Sequence, residues 1–248
     1  MSLIHKVNRY KNLINYFRNW AGFLLFKSGK SNAFQFNMRN GFQIQVLRKM
    51  LPPFKESFLD QVYLKNFPSS QFLEGNPTII DIGGNVGYFS LFMFSQNSAA
   101  KVYSFEPMPF NFSQMRSYAE TYPNFEWHIE NKAIGPNNDP LVLYTSTVDE
   151  FSTMAGVFGD ERRSKSIEVE SKTISQVMEE NQLEKIDLMK LDCEGSEYEI
   201  FKSMTENQIK AVSHYSIETH PGNNKEESHE FLLNFLKEHG YQAADQMN

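Results

Sequence analysis

Asp81, Glu106, Asp192 and His220 each stand near the end of a short apolar run, where the chain turns. Residues 78–90 read Thr-Ile-Ile-Asp-Ile-Gly-Gly-Asn-Val-Gly-Tyr-Phe-Ser. The run leads into Asp81; Gly83, Gly84 and Gly87 follow, and then a new apolar segment opens. This spacing predicts a strand, a tight turn and a helix start. Such a turn lets the backbone approach a ligand and aims helix N–H groups at it. The carboxylate of Asp81 is expected at the mouth of the pocket, where it repels a pyrophosphate and favours a cation.

A dinucleotide fingerprint needs glycine where this chain has Asn85, so G-x-G-x-x-G is not met. Asn tolerates a left-handed backbone, and the turn survives. Asp81 two residues before Gly83 fits S-adenosylmethionine, whose ammonium and sulfonium a carboxylate would favour. Glu106 ends the next strand, 23 residues after Gly83, where an acid can accept hydrogen bonds from a ribose diol. Pro107 holds the chain out of helix there. Asn131 follows the third strand; its amide either meets an adenine edge or belongs to an ordinary turn.

The segment Ile186-Asp-Leu-Met-Lys-Leu-Asp-Cys-Glu-Gly-Ser-Glu ends a buried-looking strand in Asp192, Glu194 and Glu197 around Gly195. Carboxylates so dense call for a cation, a metal or hydroxyl groups. Asp192 is expected to face both methyl donor and acceptor. Lys190 shares its strand face and either pairs with it or reaches the site. Glu197 suits the N-terminal dipole of the next helix. A metal on Asp192 and Glu194 lacks a complete ligand set, so none is expected. His220, at the tip of the fifth strand before Pro221, is a general-base candidate because its ordinary pKa lies near neutrality. Asp192 is the other candidate for that role. Cys193 reads as a packing residue.

These residues need a frame, and the chain supplies one. Its 248 residues, 40% hydrophobic and 22% charged, suffice for a substantial core. From residue 77 onward strand and helix patterns alternate. Strands are expected at 78–82, 101–105, 125–130, 186–192 and 213–218, extra strands at 141–145 and 166–170, and a last strand from 241 to 243. Helices are expected to about 95 and over 109–121, 173–180, 197–204 and 227–239. The alternation predicts a mostly parallel α/β sheet with helices on both faces and ligands beyond the strands' carboxyl ends. Ahead of it, residues 1–70 read as a cap of helix (2–26), hairpin (34–47, turning at Asn40-Gly41) and helix (56–67), with Pro52-Pro53 breaking the chain. The division expected is 1–70 as cap and 71–248 as the main domain.

Charge is uneven. Ten of the 24 Lys/Arg fall in residues 1–55, and none of the 30 Asp/Glu; Glu56 is the first acid. A basic amphipathic helix at the start either docks on the acidic body or lies on an anionic membrane or another subunit. The single cysteine excludes a disulfide scaffold and points to a reducing, cytoplasmic compartment, with peripheral membrane contact through residues 1–30 as the variant. No secretory signal pattern is present, and no nucleic-acid partner is expected.

Asp-Ile-Gly-Gly-Asn-Val-Gly (81–87), Phe-Glu-Pro (105–107), Asn-Lys-Ala-Ile-Gly (131–135) and the run 187–197 together resemble the FkbM family of S-adenosylmethionine-dependent methyltransferases. The resemblance covers residues 77–220. It implies a Rossmann-like class I methyltransferase fold and O-methylation of a sugar or natural-product hydroxyl. By that analogy Asp81, Gly83, Gly84, Asn85, Gly87, Glu106, Pro107, Asn131 and Asp192 bind the cofactor, and His220, Asp192 and Lys190 serve the reaction. The competing readings are a non-catalytic module that keeps the cofactor pocket, and a nicotinamide oxidoreductase. The acidic strand tip argues against the first, Asn85 and Asp81 against the second.

Overall fold

A computed structural model of the chain describes residues 3–29, 31–65, 67, 74–147, 150–152, 155–159, 164–222 and 227–243, with backbone alone at 3–6. The first segment is two helices rather than one, Leu3–Tyr16 (α1) and Trp20–Lys27 (α2). The break has a cause in the hairpin Ala33–Asn37 (β1) and Gln43–Leu47 (β2), which pair antiparallel. Phe17 forms a β-bridge with Met38, and the Arg18 N–H donates to the Asn37 carbonyl. The Asn19 side chain both donates to the Gln35 carbonyl and accepts from the Asn37 N–H. Helix hydrogen bonds are thus exchanged for strand-like ones. Asn40-Gly41 occupies the turn, as expected.

The prolines do the opposite of breaking the chain. Pro52 and Pro53 sit in the first turn of Leu51–Phe54 (α3), where no N–H is needed. The helix continues as a wider π turn over Lys55–Asp60 and stops at Gln61, whose φ is 49°. A short 3-10 turn, Val62–Leu64, follows. The helix expected over 56–67 therefore starts earlier and ends at Asp60. The expected boundary at residue 70 lies outside the described residues.

The main frame then runs Thr78–Ile82 (β3), Tyr88–Gln96 (α4), Lys101–Phe105 (β4), Pro109–Thr121 (α5) and Glu126–Glu130 (β5). Next come Ala133–Ile134 (β6), Leu141–Thr145 (β7), Lys165–Val169 (β8), Ser171–Lys172 (β9) and Ile174–Glu180 (α6). Leu188–Leu191 (β10), Glu197–Ser203 (α7), Glu206–Ala211 (α8), Tyr215–Ile217 (β11) and His229–Glu238 (α9) complete it. Five strands form a parallel sheet in the order β11-β10-β3-β4-β5. β7 and β8 make a separate antiparallel ribbon, and β6 pairs with β9. This is a Rossmann-like α/β fold. No strand forms at 241–243. Tyr241 instead hydrogen-bonds the carbonyls of Ile209 and Val212 and packs edge-on against Tyr215, covering the sheet edge with a side chain.

Strand alternation sorts the sheet's two faces. Ile80, Ile82, Tyr103, Phe105, Met189 and Leu191 join α6 to α9 on one side. Ile79, Val102 and Leu188 join α4 and the capping segment on the other. That second core is continuous from the cap into the sheet. The Phe17 ring lies 4.9 Å from Phe36, 5.7 Å from Phe54 and 5.9 Å from Phe58. Phe17→Ala should therefore cost about 3–5 kcal/mol in urea unfolding, and wild type and variant should each unfold in one transition. A second, unshifted transition would show the cap to be an independent unit.

Candidate active site

On the face that carries the cap, β10, β3 and β4 present Lys190, Asp81 and Ser104 at one register. Asp81 is fully buried and Lys190 nearly so. The lysine Nζ lies 3.2 Å from Asp81 Oδ1 and donates to the Gly83 carbonyl at 2.7 Å. Ser90 of α4 donates to Asp81 Oδ2 at 2.7 Å; its hydroxyl in turn accepts from Ser104, which accepts from Trp127 Nε1. Asp81 is thus beneath the glycine turn rather than at its mouth, and its charge is met by Lys190. Burial opposes the lysine's charge, but Asp81 and Asp192 outweigh it and raise its pKa. Lys190 stays charged, as a group that positions rather than one that exchanges protons.

Above this row two strand tips meet. The Gly83 and Gly84 N–H groups both donate to the Phe105 carbonyl. A Cβ at Gly83, where φ is +73°, would fall 1.9 Å from the Asp192 carbonyl oxygen, so only glycine lets the tips touch. Asn85 and Glu194 follow in left-handed backbone, with φ of 52° and 53°. Glu106 fastens the first turn from the side: its two oxygens accept the N–H groups of Asn85 and Met108, each at 2.8 Å. Burial pushes its carboxyl up to about 7 against those two donors.

Glu197, fully buried at the start of α7, organises the second tip. It accepts from the Cys193 and Gly195 N–H groups and from His220 Nδ1 at 3.0 Å. His220 Nε2 faces Glu194 at 3.8 Å and Asp192 at 4.0 Å. Burial works against its charge, yet the Glu197 hydrogen bond and the three carboxylates push it up to about 9. At that pKa His220 holds its proton at neutral pH, which weighs against the expected role as a base. The Cys193 thiol is pushed well above its ordinary value by burial, Glu197 and Asp192, in keeping with a packing role.

Two cavities open on either side of these tips, and Gly83, Asn85, Asp192 and Glu194 line both. The smaller one is walled by Phe105, Glu106, Pro107, Met108, Ile134 and Leu143. The larger, about 190 Å³, adds Pro53, Glu56, Tyr63, Glu218 and His220. Gly84 and Lys190 border the larger one as well. Gly87 and Asn131 line neither. Gly87 starts α4 against Trp127, and the Asn131 amide donates to the Glu106 and Pro107 carbonyls, holding that turn.

Sequence reasoning missed three groups here. Tyr63, from the cap, donates its hydroxyl to Asp192 Oδ2 at 2.7 Å. Glu56 is pushed up to about 7 by burial and by the charges of Glu218, Asp192 and Asp60, with Lys190 pulling the other way. Glu218, at the exposed rim, is raised by burial and Asp192. Among the described residues neither Glu56 nor Glu218 has a side-chain hydrogen bond or ion pair. The one local sign was that Glu56 ends a 55-residue stretch without acids.

Residues 81–243 match the profile of the Methyltransferase FkbM domain. Methyltransferase sdnD of Sordaria araneosa is 30% identical over 203 residues, spanning 67% of this chain and 73% of its own length. Methyltransferase 1 of Beauveria bassiana is 25% identical over 185 residues, spanning 66% and 71%. Among solved structures, StiE O-MT residues 942-1257 aligns over 62% of this chain and 38% of that chain, at 11% identity and a TM-score of 0.35.

Two outcomes follow from the charges. Lys190→Met should cost about 3–5 kcal/mol in urea unfolding, because Asp81 is left buried and unpaired, and adding Asp81→Asn should recover part of it. The pKa of His220 is raised by folding, so its contribution is fully present below about 6.5 and is lost as pH rises through about 9. Chemical unfolding of His220→Gln across that window should show a flatter pH profile than wild type.

Proposed function

The chain belongs to the FkbM methyltransferase family, and from that membership we propose that it methylates a hydroxyl of a sugar or natural-product-like acceptor using S-adenosylmethionine. The observation that carries this reading is the meeting of the two cavities at Gly83–Asn85 and Asp192–Glu194. The residues fit the cofactor. Glu106 spends one lone pair of each oxygen on a backbone N–H and keeps the others for a ribose diol. Phe105, Met108, Ile134 and Leu143 offer apolar walls for a planar base. Asp192 and Glu194 at the shared wall favour a sulfonium. When bound, S-adenosylmethionine supplies an activated methyl group whose sulfur departs as a thioether.

The larger cavity is then the acceptor's. Asp192, held by Tyr63, orients the acceptor by accepting a hydrogen bond from a hydroxyl beside the reacting one, whose own proton stays free to leave. The hydroxyl proton needs a receiver that is ionised near neutrality and not already engaged. His220, its pKa raised to about 9, is a poor receiver. Glu56, facing the same cavity without a partner, can hold it on its carboxylate.

Calorimetry should register binding of S-adenosylmethionine by the wild-type chain, weakened about ten- to hundred-fold by Glu106→Ala. Glu56→Gln should bind the cofactor as wild type does, and should lose one of the two carboxyls that titrate near pH 7 in carbon-13 spectra, that of Glu106 remaining. Absence of cofactor binding would sink the functional reading. An unchanged titration in Glu56→Gln would sink only the proton assignment.

A further inference from the structure

The two cap helices bury one side and leave the other bare. Leu13, Phe17, Phe23 and Phe26 enter the core. Val7, Tyr10 and Ile14 run along the adjoining flank of α1, 58%, 37% and 43% exposed. Leu24 and Leu25 of α2 are 45% and 68% exposed. Single exposed apolar residues are ordinary on a protein surface; a row of them on adjoining helices marks an interaction face. The bare sides adjoin, because Lys27 Nζ donates to the Tyr10 hydroxyl at 3.2 Å. Arg39 donates to the Ile14 carbonyl, and Arg18 to the Arg39 carbonyl. Cations therefore edge the apolar row.

Those cations lack counter-charges. Of the basic residues in 1–55, Arg9 pairs with Asp60 and Lys49 with Glu150. Among the described residues, Lys11, Arg18, Lys27 and Arg39 pair with no carboxylate. This holds in a chain of net charge −6.

We propose that this face of the cap docks on an anionic phospholipid surface. Val7, Ile14, Leu24 and Leu25 enter the headgroup boundary while Lys27, Arg18 and Arg39 meet lipid phosphates and carboxylates. Such a partner answers both halves of the face. A nucleic acid offers charge and leaves the aliphatic row in water. A second copy of the chain covers the row and sets its own cations against each other. Among the described residues no helix is long and apolar enough to cross a membrane, so the contact is one of lying on the surface.

The test is sedimentation of the full chain with vesicles of phosphatidylcholine, alone or mixed with phosphatidylserine. The chain should travel with the mixed vesicles and not with phosphatidylcholine alone, and added salt should release it. Each removed cation should weaken partition about five-fold, so Lys27→Gln with Arg39→Gln loses about 25-fold. Leu25→Glu should abolish binding. Leu25→Glu should keep the wild-type thermal midpoint, since Leu25 lies outside the core; the double variant also loses the bonds to Tyr10 and Ile14, so it is compared well below its own midpoint. Failure to bind mixed vesicles, or binding that neither variant reduces, overturns the proposal. So does a dimer in sedimentation velocity that Leu25→Glu dissociates in a chain indifferent to vesicles.

Discussion

The buried pair of Lys190 and Asp81 is the constraint on which the rest of the molecule turns. Two charges at the centre of a sheet survive by cancelling each other, and here Asp81 Oδ1, buried without a hydrogen bond, depends on the lysine's charge 3.2 Å away. Asp81 is met by Ser90, which fixes where α4 lies. Lys190 spends its donors on the carbonyls of Ile82 and Gly83, which fixes the glycine turn from below. Because side chains alternate along a strand, a slip of one residue would send either charge into the opposite, wholly apolar core. The pair thus holds strand register, helix position and turn shape together.

On that base the site divides its work by environment. Glu197 has no ligand-facing duty; it ties a loop and charges a histidine. His220 stands in turn between Asp192 and Glu194, 4.0 and 3.8 Å away. Glu56 stands apart from these pairings and is left with a pKa near neutrality. Carboxylates of the same chemistry differ in role because their neighbours differ.

What could be read in the sequence was local. The alternation of strand and helix, the glycine turn, Glu106 at its strand tip and the acidic run at 192–197 all show up in spacing. The pairing of Tyr63 with Asp192 joins residues 129 apart and leaves no periodic mark. Neither does the buried position of Asp81, since a charged residue inside a strand reads as a strand end until Lys190 is seen beside it. The helix break at Phe17 depends on a hairpin still to come in the chain. Pro52 and Pro53 were ambiguous in kind, because proline opens a helix as readily as it stops one. In sequence His220 carries only its ordinary pKa, and the three carboxylates that change it come from another strand tip.

The contact between Gly83 and the Asp192 carbonyl leaves no room for even one methyl group. Neutral drift at position 83 is thereby closed: alanine would wedge the two loops apart and open the wall common to both chambers. The neighbouring apolar positions of β3 can trade one aliphatic for another and compensate by repacking. Any descendant of this chain that lost its activity could vary freely at many sites, and the earliest trace of that loss would be a side chain at 83.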